Sequence, residues 1–232
     1  MSGDAPEDPM MQIKSDEEIQ RDVLGELKWD SRVDEAEVGV SVAKGVVTLS
    51  GTVSSYVKQL AAQEAAHRVR GVLDVANDLQ VKLPGGLTRS DSEIAHAVRH
   101  TLEWDVLVPD DQITSTVSHG WVTLEGKVDL LRERVDAERA IRQLIGVRGV
   151  SNDIAVVGPP LAPDEVRRTV EEVLARRAER EAEGIAVTVH DGTVTLAGQV
   201  SSWAEKRAIM GAVSHARGLR TVTDRLRVEP YG

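Results

Sequence analysis

The sequence contains no cysteine and no phenylalanine among its 232 residues. Without thiols the chain can form neither a disulfide nor a thiolate nucleophile, and a cysteine-ligated zinc site is excluded as well. Aromatic residues make up only 3% of the chain, so a hydrophobic core has to be built from valine, leucine, isoleucine and alanine. Each of the few tryptophans and tyrosines is therefore a position of interest.

Long apolar runs are also missing, since none approaches the roughly 20 residues that a membrane-spanning helix needs. The first 14 residues are acidic and lack the apolar segment of a secretory signal, which predicts a cytoplasmic protein and leaves peripheral membrane attachment open. A net charge of −10 argues against a nucleic-acid partner, because such proteins need a basic surface. The charge is uneven, since residues 157–232 carry 11 basic and 11 acidic residues and are neutral.

Three repeats organise the chain. A shift of 75 residues aligns 16–81 with 91–156, and a further shift of 72 aligns 93–156 with 165–228, both without a gap. Such a register indicates three copies of one structural unit. The copies share glycines at three equivalent positions, which we expect to be structural: Gly45, Gly120 and Gly192; Gly51, Gly126 and Gly198; Gly71, Gly146 and Gly218.

Each repeat begins with a pattern typical of a helix. The segments Ser15–Glu18 and Ser90–Glu93 have the spacing of a capping box, in which serine and glutamate satisfy the first backbone N–H groups. Apolar residues four positions apart, namely Ile19, Val23 and Leu27 in the first repeat, then mark one buried helical face.

Two strands and a second helix are predicted to follow. Apolar and polar residues alternate on both sides of Lys44-Gly45, a dipeptide that suits a two-residue hairpin turn with positive φ at glycine. Ser54, Asp129 and Ser201 are good N-cap residues and predict where the second helix starts. Its expected inner face in the first repeat is Val57, Leu60, Ala61, Ala65 and Val69. A last alternating segment predicts a third strand.

The pattern therefore predicts an α+β protein of three tandem αββαβ domains. In each domain two helices cover one face of a three-stranded mixed sheet, with an antiparallel hairpin and a parallel third strand. The predicted boundaries are an N-terminal tail at 1–14, domain 1 at 15–82, a linker at 83–89, domain 2 at 90–157, a linker at 158–161 and domain 3 at 162–232.

The repeated motifs resemble the BON domain. Val-Thr-Leu-x-Gly-x-Val in the hairpin is followed by a helix and then by Gly-Val-x-x-Val-x-Asn-x-Leu at Gly71–Leu79 and Gly-Val-x-x-Val-x-Asn-x-Ile at Gly146–Ile154. The third repeat carries Leu219 and Asp224 where the others have valine and asparagine. The tandem is similar to the OsmY-like osmotic-stress proteins of bacteria. The resemblance implies a non-enzymatic protein that binds phospholipid surfaces or envelope partners.

Motifs for catalysis or metal binding are not apparent. The sequence has no Gly-x-Ser-x-Gly and no phosphate-binding loop. Glu93, His96 and His100 lie on consecutive turns of a predicted helix, but each histidine stands two residues beyond a buried position and therefore faces water. We predict no enzymatic activity, no cofactor and no metal.

The first residues of the second helix are candidates for a contact surface. Tyr56, Leu131 and Trp203, here called the helix-start residues, occupy equivalent positions. They are expected either to anchor a membrane interface or a partner, or to lie across the end of a neighbouring strand. Trp29 and Trp104 match each other near the end of the first helix and are expected to close the edge of a core.

A group of arginines distinguishes the neutral third repeat. It consists of Arg217, Arg220, Arg225 and Arg227. On the last strand the equivalents of Arg225 are Asp78 and Asp153. The arginines are expected either to contact anionic lipid headgroups or to dock onto the acidic first and second repeats.

The function predicted from these features is non-enzymatic scaffolding in osmotic or envelope stress, by multivalent weak binding to anionic phospholipid surfaces or envelope-associated partners. Two alternatives stand beside it. One is a cytosolic protein-binding or chaperone-like scaffold, which the acidic balance favours. The other is a sensor of a small ion such as potassium, suggested by the acidic segments 30–37 and 105–111.

Overall fold

The computed structural model describes residues 14–83, 85, 89–158, 162–177, 185–214, 216 and 218–229. Within these residues, the same series of elements occurs three times. It comprises α1 (Asp16–Trp29), β1 (Val38–Ala43), β2 (Val46–Val53), α2 (Tyr56–Arg68) and β3 (Asp74–Val81); then α3 (Asp91–Trp104), β4 (Ile113–Ser118), β5 (Trp121–Val128), α4 (Leu131–Ile141) and β6 (Gly149–Val156); then α5 (Pro163–Arg177), β7 (Ala186–His190), β8 (Thr193–Val200), α6 (Trp203–Val213) and β9 (Thr221–Val228).

Each series forms its own three-stranded sheet, which confirms the predicted α+β fold. The strand orders are β1-β2-β3, β4-β5-β6 and β7-β8-β9. In every sheet the first two strands are antiparallel and the last two are parallel. A two-residue turn can join the antiparallel pair, whereas the parallel strand needs the crossover that the second helix supplies.

The backbone conformation of the hairpin turns explains why each repeat has a glycine there. Lys44 and Gly45 both have positive φ, 52° and 75°, and the two equivalent turns share this geometry. The Asp16 carboxylate at the start of α1 accepts hydrogen bonds from both turn N–H groups, at 2.8 and 2.9 Å. These bonds stabilise the charged form and hold the pKa of Asp16 below its usual value. The first helix and the hairpin are thereby fixed to each other.

The cores are aliphatic, as the composition predicts. Ile19, Val23 and Leu27 are buried against the sheet in domain 1, together with Val47 and Leu49 of β2. The buried face of α2 consists of small residues, namely Ala61, Ala62, Ala65 and Ala66. The prediction that Val57 and Leu60 belong to this face is wrong, since both are only half-buried. Alanine suits this face because α2 contacts α1 as well as β2 and β3.

The predicted starts of the second helices are one residue too early. The observed N-caps are Ser55, Leu130 and Ser202, and the Ser55 hydroxyl accepts a hydrogen bond from the Lys58 backbone N–H at 3.3 Å. In domain 2 Leu130 has no capping side chain, and the Glu133 carboxylate accepts its backbone N–H at 3.0 Å instead. The helix-start residues are therefore the first helical residues.

The expectation that Trp29 and Trp104 close the edge of a core is wrong. Their side chains are 87% and 75% exposed. Each follows the last buried leucine of its helix by two positions, which rotates it by about 200° away from the buried face. The indoles therefore face solvent in two domains.

A polar residue of the last strand pairs with a residue of the second helix in each domain, and the third domain differs from the others at both positions. The Asn152 amide donates to the Arg134 backbone carbonyl at 2.7 Å, and Asn77 likewise donates to the Gln59 carbonyl at 3.2 Å. Asp224 has no amide hydrogen to donate, and its carboxylate instead lies 2.9 Å from the Lys206 ammonium. Lys206 stands at the position of Gln59 and Arg134, so domain 3 differs from the other two domains at both members of the pair.

We expect Asn77→Asp to destabilise domain 1 by about 2 kcal/mol, because the new carboxylate faces a carbonyl without a donor. Adding Gln59→Lys should recover most of this loss by reproducing the pair of domain 3. Hydrogen exchange of β3 measures both variants and their coupling. Asp78→Asn, on the exposed face of the same strand, serves as the control and should change little. Equal losses in the single and double variants would contradict the interpretation.

Candidate functional site

The open face of the third sheet carries an exposed basic pair. Arg225 and Arg227 lie on β9, opposite Ala197 and Gln199 of β8, and point away from the helices. Neither forms an ion pair with any residue that the structure describes. Because the equivalent positions in domains 1 and 2 hold no basic residue, this pair, here called the arginine face, is particular to domain 3.

Arg220, one of the other two predicted arginines, does not join this face. Arg220 lies against Gly192 of the hairpin, and its backbone N–H donates to the Gly192 carbonyl at 2.8 Å. Its Nε is buried and has no hydrogen-bond partner among the described residues. Arg217 lies outside the described residues. The predicted cluster of four is thus represented by two exposed side chains.

The helix-start residues lie at boundaries between domains. Tyr56 of domain 1 packs against the core of domain 2, and Leu131 of domain 2 is buried in the core of domain 3. Trp203 of domain 3 stacks on His67 of domain 1, with 4.2 Å between the ring centroids. Neither predicted interpretation included this contact with another domain, and in the case of Trp203 the neighbour is a residue of helix α2 and not the end of a strand.

Burial at these boundaries shifts the pKa values of two side chains, Tyr56 and His67. Burial raises the pKa of Tyr56, which also has the Glu138 carboxylate nearby. Burial also lowers the pKa of His67 to about 4, and the positive charge of Arg207 acts in the same direction. A cleft of about 430 Å³ remains between domains 1 and 2, bounded by Ser55 and Val57 and by the segment 142–145.

An exposed apolar surface was missed from the sequence. In domain 2 Trp104, Val106 and Leu107 are 75%, 97% and 51% exposed, and we call them the exposed tip. The offset of two residues from Leu102 already placed Trp104 on the solvent side of its helix. Trp121 is also exposed, and its Nε1 donates to the Ser151 hydroxyl at 3.2 Å across the sheet face of the same domain.

The described parts of the chain contain no group of three or more histidine and acidic side chains placed to hold a metal ion. His100 stacks on Trp104 at a centroid distance of 5.5 Å on the outer side of α3. None of the described helices is long and apolar enough to cross a bilayer.

Comparison with known proteins identifies the class to which these three domains belong. The family model of the BON domain matches residues 15–82, 90–158 and 164–230. The chain therefore belongs to the BON domain family, and it carries three copies of the domain. One protein that it resembles is osmotically-inducible protein Y of Escherichia coli (strain K12). The two are 28% identical over 143 residues, which cover 60% of this chain and 71% of the relative.

Solved structures give weaker likenesses. A structural protein of the type III secretion system of Chlamydia trachomatis, CdsD, is 12% identical with a TM-score of 0.26, over 90% of this chain and 91% of that one. The periplasmic domain of PrgH is 10% identical with a TM-score of 0.22, over 83% of this chain and 95% of that one.

Proposed function

We propose that this protein is a non-enzymatic binding protein of osmotic or envelope stress that attaches weakly and at several points to anionic phospholipid surfaces or envelope-associated partners. The observation that carries the proposal is the arginine face, where Arg225 and Arg227 are exposed on an uncovered sheet without a partner among the described residues. The relative named for its osmotic induction supports the stress context.

The charge distribution favours one orientation on such a surface. An arginine near an anionic membrane contributes about 1 kcal/mol, so two of them give only weak attachment. The acidic first and second domains are repelled by the same surface, which directs the third domain toward it. Weak contacts of this kind become useful when several modules of one chain engage together.

Vesicle co-sedimentation tests the proposal. We expect the full chain to sediment with vesicles rich in phosphatidylglycerol at low salt, and to be released when the salt is raised, because the attraction is screened. The variant Arg225→Glu/Arg227→Glu should lose most of this binding. Neutral phosphatidylcholine vesicles should bind neither protein.

The matched control is Arg167→Glu/Arg168→Glu. It makes the same change in net charge within the same domain, but on the exposed side of α5. We expect it to bind nearly as well as the parent chain. If both double variants lose binding equally, net charge alone governs attachment and the arginine face has no special role.

A protein partner is the second candidate, and the exposed tip favours it. Trp104, Val106 and Leu107 present an apolar surface beside Asp105, which is unsuited to an anionic membrane. Trp104→Ser with Leu107→Ser should then abolish co-purification of a partner while leaving vesicle binding unchanged. Loss of vesicle binding in that variant would assign the tip to the membrane instead.

A further inference from the structure

The same kind of contact, made by a helix-start residue, occurs at each of the three boundaries between domains. The helix-start residue of domain 1 contacts domain 2, that of domain 2 contacts domain 3, and that of domain 3 contacts domain 1. At two of the boundaries the receiving positions are equivalent too, since Tyr56 is close to Arg142 and Trp203 stacks on His67, and the 75-residue shift aligns His67 with Arg142. The domains therefore close into a ring with approximate threefold repetition.

The contact between domains 3 and 1 differs from the other two because no linker joins these domains directly. It brings α6 against α2, and its centre is the stacked pair of Trp203 and His67, with 16° between the ring planes. The Lys206 ammonium lies 5.0 Å from the centroid of the same indole. The ring of domains thus depends on this contact for closure.

The surroundings of the stacked Trp203 and His67 rings disfavour a positive charge on the imidazole. His67 Nε2 and Trp203 Nε1 are both buried and have no hydrogen-bond partner in the described parts of the chain. Arg207 and Lys206 of α6 face the imidazole with positive charge, whereas Glu64 of α2 and Asp74 of β3 face it with negative charge. Protonation would add a positive charge beside these two basic residues, on a half-buried ring whose Nε2 has no acceptor, so the contact favours the neutral imidazole.

We propose that the contact between α2 and α6 is an acid-sensitive latch, which closes the three domains into a ring and opens when His67 takes up a proton. The inference is independent of the proposed function, because it concerns the arrangement of domains and not what they bind. Opening would free Trp203 and the His67 side of domain 1 together.

The direction of the pH effect follows from proton linkage. The pKa of His67 is about 4 in the closed ring and about 6.5 when the imidazole is exposed to water, so the proton prefers the open form. Closure is fully stable above pH 6.5 and weakens as the pH falls toward 4. At pH 5 the full shift corresponds to about a thirtyfold loss in the closed-to-open ratio. Solvent screening of the half-buried ring reduces the expected loss to about tenfold.

The absence of cysteine allows a direct distance measurement. Ser41→Cys on β1 and Gln199→Cys on β8 place one spin label at an exposed position of domain 1 and one at an exposed position of domain 3, the two domains that the latch joins. We expect one narrow distribution of label distances at pH 7.5. At pH 5 a second, broad population should appear at longer distances, and returning to pH 7.5 should remove it.

Two variants distinguish opening of the latch from acid unfolding of the domains. Trp203→Ala should give the broad distribution at both pH values, with unchanged hydrogen-exchange protection of β8 showing that domain 3 is folded. If β8 is not protected, the milder Trp203→Leu takes its place and should also broaden the distribution. His67→Phe keeps an aromatic ring that cannot be protonated, and it should remain closed at pH 5.

The matched control is His100→Gln, which removes the other histidine stacked on a tryptophan, on the exposed side of α3. It should respond to acid as the parent chain does. The proposal is overturned if the parent distribution is already broad at pH 7.5, or if the folded tryptophan variants stay narrow. It is overturned as well if His67→Phe opens at pH 5 as readily as the parent.

Discussion

Gly126→Ala is expected to destabilise domain 2 by at least about 3 kcal/mol. Gly126 has φ 143°, and a Cβ added there would overlap the backbone carbonyl oxygen of Gln112. Gln112 belongs to the short 3₁₀ turn that leads into β4, so its carbonyl cannot move without shifting that strand. Gly51 meets the carbonyl of Glu37 in the same way in domain 1. In the first two repeats the middle glycine is required by this close approach of two backbone segments.

Hydrogen exchange in β5, compared with β2 and β8, measures the loss and assigns it to domain 2. The control is Gly25→Ala in α1, where a Cβ would meet nothing within 4 Å. That variant should be neutral or stabilise the helix by up to about 1 kcal/mol. Unchanged protection of β5 in Gly126→Ala would show that the strand tolerates the displaced turn.

The fold could be predicted because each of its determinants is local. The four-residue spacing of Ile19, Val23 and Leu27 defines one helix face, and the turn at Lys44-Gly45 restricts how its two strands pair. The same pattern occurs in all three repeats, so a chance arrangement of apolar residues in one of them could not have produced the prediction. Two local predictions were wrong. N-cap serines occur in pairs at 54–55 and 201–202, and composition alone does not choose between them. Val57 and Leu60 were also assigned to a face of α2 that four alanines form.

The surroundings of the helix-start residues were harder to predict, because they depend on contacts between domains. Trp203 was identified as an unusual residue, but its neighbour His67 lies 136 positions earlier and no local rule joins them. Trp29 was misplaced for a different reason. It stands two positions after the buried Leu27, the same offset that turns His96 and His100 toward solvent, so its exposure follows from the helical rotation. Arg220 illustrates a third limit, because its packing against Gly192 follows from the turn geometry and not from its charge.

Leu124→Ala is expected to destabilise domain 2 by about 3–5 kcal/mol. Leu124 is fully buried in the middle strand of the sheet, within the core formed by α3, α4 and the sheet of domain 2. Truncation removes apolar contacts and leaves a cavity that rigid neighbours such as Ile94 and Val98 cannot fill. Hydrogen exchange in β5 should report the loss.

The same substitution at Leu107 is the matched control, because Leu107 belongs to domain 2 but is 51% exposed. Its effect should stay below about 1 kcal/mol. Comparing β2 and β8 in Leu124→Ala then measures how strongly the domains depend on one another. In a ring held by the helix-start residues, loss of domain 2 removes the surface that receives Tyr56 and releases Leu131 from domain 3. We therefore expect a smaller loss of protection in both neighbours, whereas independent domains would show none.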